Sequence, residues 1–337
     1  MSGTPGHEPI VAFLRRPDAY PEPPPEVTVI ETHMSWVFLA GAHVYKLKKA
    51  VRHEGLDFST PERRRFNCLE EVRLNQVLAP GVYLGVVTLT READGRLALD
   101  GEGTPVECLV HMRRLPSGRN LEAIIRDGRT QADEHKIRKA ARHLARFYQA
   151  APPEPIEAPA QRAWLEAGVR SDLEALSAAR YGLPLDRLEA LVEGQLSFLA
   201  RHVPLFEARV EAGRVVEGHG DLRPEHIWLD GEPAIIDRLE FDRALRVLDP
   251  ADELAFLDLE CERLGAPEVG GWFLETYTEE TGDDPPAPLL RFYRVYRALR
   301  RATISARHLD DPAVADPARF AARASRYLEM VEPLPLD

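Results

Sequence analysis

Between Val27 and Lys48 the chain reads as β-strand. Val27, Val29 and the run Val37-Phe38-Leu39 are β-formers, Gly41-Ala42 makes a turn, and Val44 to Lys48 alternates apolar with polar. The period then lengthens. Phe66, Leu69, Val72, Leu74 and Val77 recur at helical spacing, ahead of them Ser59-Thr60-Pro61-Glu62 is a helix start, and Pro80-Gly81 ends the run. Two more strands are predicted over 83–90 and 105–112, joined through Asp94-Gly95. Beyond Leu115-Pro116 the pattern is helical, with helices expected at 132–150, 187–199, 252–264, 272–281, 290–308 and 319–331. One β-like island interrupts them: Val215-Val216, then Ile227-Trp228-Leu229, an Asp230-Gly231 turn, and Ala234-Ile235-Ile236-Asp237. A short helix near Ile10 to Arg15 precedes the first strand across a proline-rich stretch from Pro17 to Pro25, which cannot be helical. Proline clusters at 152–159 and 283–288 read as loops between helices.

Composition narrows the class. The 337 residues carry 43 Lys+Arg against 55 Asp+Glu, a formal charge of −12, which argues against nucleic-acid binding through bulk charge. With 44% apolar and 29% charged residues the balance is globular. No apolar run is long enough to span a bilayer, and no basic segment leads into an apolar one at the start, so no membrane partner and a cytoplasmic location are expected. Cys68, Cys108 and Cys261 are far apart and outside any C-x-x-C spacing, as reduced buried thiols would be.

The island holds the densest chemistry: His219-Gly220-Asp221-Leu222-Arg223-Pro224-Glu225-His226, then Asp237. The strand leaving His226 and the one returning through Ile236 roughly match in length at ~3.3 Å per residue. Asp237 is therefore expected beside the loop that carries Asp221, Arg223 and His226. Two carboxylates and an imidazole are then expected together at one hairpin mouth, next to Arg223.

This arrangement resembles the catalytic loop of the protein-kinase-like superfamily, and in its His-Gly-Asp opening the aminoglycoside phosphotransferase branch. The resemblance extends to Ile236-Asp237, to Asp249-Pro250-Ala251-Asp252-Glu253-Leu254-Ala255, and in the N-terminal part to Thr32–Lys49, Leu56-Asp57-Phe58-Ser59-Thr60, Leu74-Asn75 and Met112-Arg113-Arg114-Leu115-Pro116. It is similar to an uncharacterised bacterial group whose longer members join such a kinase-like half to a P-loop ATPase half. The resemblance implies an α+β, two-lobed fold: an N-terminal helix and proline-rich extension over 1–26, a small antiparallel-sheet lobe over 27–109, a hinge at 110–116 and a helical lobe over 117–337 with the catalytic hairpin at 215–240. The cleft would separate the residues before and after about 115, the count carried by that family pattern.

It also implies roles. Asp221 would accept or orient the attacking hydroxyl, Asp237 would hold Mg²⁺ against the ATP phosphates, and Arg223 would neutralise the moving phosphoryl. Asp249 and Asp252 would brace the loop. Of Lys46, Lys48 and Lys49, Lys46 is the expected phosphate contact, because the residue two before it, Val44, is apolar and shares its face. Its helix partner is Glu71, with Glu70 as the alternative. Val44, Val110 and Met112 would line the base, and the backbone of about 109–113 would meet the adenine. The expected activity is ATP-dependent phosphoryl transfer to a hydroxyl of a small molecule.

Two departures stand out. His226 occupies the place of a metal-ligating Asn, and imidazole suits Mn²⁺-like ions better than Mg²⁺. That favours, as the second reading, a catalytically weak nucleotide-binding pseudokinase with a regulatory role. The region 31–36 lacks a glycine-rich loop, and no G-x-x-x-x-G-K-[ST] occurs anywhere. A third reading is a metal-dependent hydrolase ligated by His219, Asp221, His226 and Asp237. Arg291, Arg294, Arg297, Arg300 and Arg301 read as the basic outer face of an amphipathic helix, with a phosphate-bearing or acidic partner as the alternative. Asp252, Glu253, Asp258, Glu260 and Glu262 read either as a solvated acidic face or as an attraction for a cationic substrate. Trp228 and Trp272 are expected in the core.

Overall fold

Proline sets where helices begin in this chain. Among the described residues, eight helices carry a proline in their first turn, where the missing N–H costs no hydrogen bond and the fixed φ is already helical. The computed structural model describes residues 7–53, 56–311, 314 and 316–336. The first six residues of the expected N-terminal segment lie outside them.

In chain order, α1 (Glu8–Leu14) is followed by strands β1 (Val27–Glu31), β2 (Ser35–Ala40) and β3 (His43–Lys48), and a two-residue ladder of β4 (Arg52–His53) with β5 (Leu56–Asp57). Helix α2 (Pro61–Leu78) leads to β6 (Tyr83–Arg91), β7 (Leu97–Leu99) and β8 (Thr104–Arg113). Helices α3 (Leu121–Arg126), α4 (Glu134–Ala150), α5 (Ala158–Leu176), α6 (Leu185–Arg201) and α7 (Val203–Glu211) come next. The island supplies β9 (Val216–Glu217), β10 (Ile227–Trp228), β11 (Ala234–Ile235) and β12 (Val247–Leu248). Helices α8 (Pro250–Arg263), α9 (Pro267–Thr281), α10 (Ala287–Arg307) and α11 (Pro317–Glu329) complete the described chain.

The chain divides into two units, one of residues up to Asn120 with His226–Leu245, the other of Leu121–Glu225 with residues from Arg246 onward. The first is built on a six-stranded antiparallel sheet in the order β1-β2-β3-β8-β6-β7. Alternation gives the sheet two apolar faces. One carries Trp36, Phe38, Tyr45, Leu47, Leu89 and Leu109, covered by Ile10, Leu14 and Tyr20 of the N-terminal segment. The other carries Cys108, Val110 and Met112, and packs with Cys68 of α2 and with Trp228, Ala234 and Ile236 of the β10–β11 hairpin. The second unit is helical, its core drawn from α5, α6, α7, α8, α10 and α11.

The fold is thus α+β, as expected. Helices α3, α5 and α7 escape the periodicity reading. Helix α5 shows why: two positions of its buried face are Gln161 and Asp172, which interrupt the apolar stripe. Trp228 packs, partly buried, against the core of the first unit, and Trp272 is half-buried rather than a core residue. All three cysteines are buried thiols. No helix of the described residues is long and apolar enough to cross a membrane.

Candidate functional site

In the first unit the chemistry gathers where β3, α2 and the end of the hairpin meet. Val44, Lys46 and Lys48 share one face of β3, and in register with β8 Val44 stands opposite Met112 and Lys46 opposite Val110. That face looks toward α2, which presents Glu71, 0% exposed. Lys46 Nζ donates to Glu71 Oε1 at 2.9 Å and to Asp237 Oδ1 at 3.0 Å. Lys48 Nζ donates to Glu71 Oε2 at 2.6 Å and to Glu240. Glu70 turns outward to Arg73, and Lys49 pairs with Glu31. One buried carboxylate therefore holds two lysines, and these differ in access: Lys46 is 18% exposed and Lys48 1%. Burial works against the charge of Lys46, but Asp237 and Glu71 outweigh it and raise its pKa well above the ordinary value. Burial likewise works against the Glu71 anion, and the two lysines overcome it and hold its carboxyl below the usual range.

Asp237 is placed by its backbone. Its φ is +61°, a left-handed conformation that few non-glycine residues adopt. Its N–H donates to the Tyr83 hydroxyl at 3.0 Å. The next residue is gripped by buried Asn75: Arg238 N–H donates to Asn75 Oδ1 at 2.7 Å, and Asn75 Nδ2 donates to the Arg238 carbonyl. The hairpin closes with Ile236 N–H donating to the His226 carbonyl, which leaves His226 Nε2 3.5 Å from Asp237 Oδ2. The Asp237 side chain stays 43% exposed. A carboxylate of this kind suits a hard divalent cation whose other ligands are water and phosphate oxygens. Among the described residues no group of three or more His, Cys, Asp or Glu is placed to hold a metal ion.

The backbone of β8 is committed to the ladders on both sides, with β3 as far as Arg113 and with β6 as far as Met112. Val110 is fully buried and Met112 partly exposed, and at the end of the strand the Arg113 N–H donates to the Val82 carbonyl at 2.8 Å.

In the second unit the loop around Asp221 is held by α8. Glu253, fully buried, accepts the His219 N–H at 2.8 Å, the Gly220 N–H and the Tyr148 hydroxyl at 2.7 Å. Gly220, at φ +92°, supplies a conformation that side-chain-bearing residues resist. Asp221 N–H donates to His219 Nδ1 at 3.3 Å, and Arg223 reaches back from Nε to Asp221 Oδ2 at 3.0 Å while its Nη1 donates to Glu225. The bracing role expected of Asp249 and Asp252 falls to Glu253. Asp249 instead caps α8 and pairs bidentately with Arg209, which also binds Asp283, and Asp252 pairs bidentately with Arg297.

Those pairs correct the reading of α10 and α8 as separate solvated faces. Arg294 binds Asp258 and Glu262, Arg297 binds Asp252, and Arg300 binds the buried Asp172. The two charge patterns neutralise each other where the helices pack. The sequence reading also passed over Lys48–Glu240, Asn75 as a backbone clamp, and Glu253. The only signal for them was position: Glu240 three residues past Asp237, Asn75 one turn past Glu71, Glu253 next to Asp252.

No family model matches the chain. It is 35% identical over 326 residues to uncharacterized proteins of Mycobacterium tuberculosis and Mycobacterium bovis, an alignment covering 93% of this chain and 62% of theirs, so the chain spans less than two thirds of these relatives. Among solved structures it is similar to a choline kinase from Cryptosporidium parvum (TM-score 0.54, 12% identity, 95% of this chain and 93% of that one) and a choline/ethanolamine kinase family protein from Mesorhizobium loti (0.54, 15%, 95% and 93%). It is also similar to a GDP complex of a mutant aminoglycoside 2′-phosphotransferase-IIIa (0.52, 15%, 96% and 95%). The chain has the protein-kinase-like fold shared by choline/ethanolamine kinases and aminoglycoside phosphotransferases.

Proposed function

We propose that the protein transfers the γ-phosphoryl group of ATP to a hydroxyl of a small molecule. The observation that carries this reading is the Lys46 ammonium, held 2.9 Å from buried Glu71 and 3.0 Å from half-exposed Asp237. A cation fixed in this way, beside a carboxylate open to solvent, is pre-organised for the phosphates of a nucleotide. Val44 and Met112 would pack on the base, with buried Val110 behind them. Mg²⁺ bound by Asp237 would neutralise charge on the phosphates. Asp221 would accept the proton of the attacking hydroxyl, and Arg223, two residues on, would keep its carboxylate aimed. In the transfer the hydroxyl oxygen bonds to the γ-phosphorus, the bond from that phosphorus to ADP breaks, and the proton passes to Asp221.

The test is nucleotide binding by thermal shift and calorimetry with ATP and Mg²⁺, then ADP release against a panel of hydroxyl compounds. Loss of nucleotide binding in Lys46→Met, and of turnover in Asp221→Asn with binding kept, is the expected result. No binding by the parent chain sinks the reading.

A nucleotide-binding pseudokinase is favoured by His226 alone. Turnover that appears only in His226→Asn with Mg²⁺ would establish it, whereas turnover by the parent with Mg²⁺ or Mn²⁺ removes it.

A further inference from the structure

Arg301 differs from the other arginines of α10 that meet acids. Arg294, Arg297 and Arg300 each donate hydrogen bonds to a carboxylate. The Arg301 side chain is only 11% exposed, with its guanidinium carbon 5.6 Å from the Phe256 ring centre and 5.9 Å from that of Tyr327. Its acidic neighbours lie beyond hydrogen-bond reach: Nη1 is 4.0 Å from Asp221 Oδ1, and Nε is 3.6 Å from Glu260 Oε1. Both acids are engaged elsewhere. Glu260 accepts Arg263 on Oε2 at 2.8 Å and the Tyr327 hydroxyl on Oε1, and Asp221 accepts Arg223 on Oδ2. Nε of Arg301 is buried with no hydrogen-bond partner among the described residues. Buried charged donors are normally satisfied; Nε faces Glu260, while Nη1 of the same guanidinium faces Asp221, the carboxylate assigned to the attacking hydroxyl.

We propose that Arg301 recognises an anionic group, a carboxylate or phosphate, carried by the acceptor close to its reacting hydroxyl. The inference rests on the reading of Asp221 as the residue that takes the hydroxyl proton. The planar guanidinium fork matches both anions in a two-point bond. The 4.0 Å between Nη1 and Oδ1 places that anion near the oxygen held by Asp221. Arg223 and Arg301 both face Asp221, while Glu225 pairs with Arg223 and Glu260 with Arg263, so the guanidinium left without a hydrogen-bonded carboxylate among the described residues here is that of Arg301. The acceptor is then a hydroxy acid or a phosphorylated alcohol, unlike choline or an aminoglycoside. Arg301 forms no bond in the transfer and sets which molecule is held.

ADP release by the full chain with ATP and Mg²⁺ is measured against matched acceptors: glycerate and glycerol 3-phosphate, neutral glycerol, and cationic ethanolamine. The expected result is a kcat/KM at least tenfold higher for one of the anionic pair than for glycerol or ethanolamine. Arg301→Gln lowers that value, mainly through KM, far more than the value for glycerol, and Arg301→Lys recovers part of it. A parent that prefers glycerol or ethanolamine, or an Arg301→Gln that loses activity equally on charged and neutral acceptors, overturns the proposal while leaving the phosphotransferase reading intact. A second arm needs no turnover. Inorganic phosphate is titrated against the parent, Arg301→Gln and Arg301→Lys by calorimetry, with circular dichroism to establish that each is folded. Phosphate binding lost in Arg301→Gln and kept in Arg301→Lys supports the anion site even where none of the four acceptors reacts. Phosphate binding indifferent to residue 301 overturns the site.

Discussion

Asp237 combines a backbone most residues avoid with a side chain half open to solvent. Asn tolerates the same left-handed conformation, so Asp237→Asn is expected to keep apo stability within about 1 kcal/mol. The same substitution removes the thermal shift given by ATP with Mg²⁺, and a variant that still shifts like the parent refutes the role. Two other carboxylates respond to pH in opposite directions. Glu71 titrates below its ordinary value, so the stability it contributes is present above about pH 4.3 and is lost as the pH falls through its lower folded value. Glu71→Gln, which leaves two buried lysines short of a partner, should cost about 3–5 kcal/mol at pH 7, and the cost should shrink in acid. Asp172, fully buried, is pushed up to about 6 by burial, against the pull of Arg300. Its folded form holds the proton longer than the unfolded chain does, so stability falls as the pH rises from about 4 to 6. Asp172→Asn should therefore stabilise at pH 7.5 by up to about 3 kcal/mol, the equivalent of roughly two pH units, and by little at pH 4. Urea midpoints across that range measure both effects.

At the scale of elements, the interior of α8 is as much a scaffold for chemistry as for packing. Glu253 receives two successive loop N–H groups, so Glu253→Gln, which turns an N–H₂ toward one of them, should unfix the Asp221 loop. The expected outcome is a fall in kcat of tenfold or more with nucleotide affinity little changed. Equal losses in both would mean that the second unit is merely destabilised. Helix α2 carries its own start signal, with the Thr60 hydroxyl accepting the Arg63 N–H at 3.3 Å and Pro61 beginning the first turn. Thr60→Ala should cost about 1 kcal/mol in thermal or urea unfolding. The start of α2 was readable from Ser59-Thr60-Pro61-Glu62 because capping is local. The partnership of α8 with α10 was not. A row of acids and a row of arginines far apart in sequence look like two solvated faces until packing sets one against the other and removes the water between them.

For the whole molecule, likeness to small-molecule kinases at 12–15% identity speaks for the fold, and the chemistry must come from the site. The longer mycobacterial relatives, of which this chain matches 62%, make any activity of the larger proteins a separate question. The places of β1, β2, β3, β6 and β8 along the chain, the position of α2 and the hairpin that returns Asp237 to His226 follow from alternation, helical periodicity and turn residues, all of them local consequences of backbone geometry. Folding in three dimensions decided the rest. It placed Glu71 rather than Glu70 under the lysines, gave that one carboxylate both Lys46 and Lys48, assigned the loop to Glu253, and left Arg301 with a donor unspent. A linear pattern shows where charges lie along the chain, whereas their pairing depends on which of them lose water together, and only the packed structure sets that.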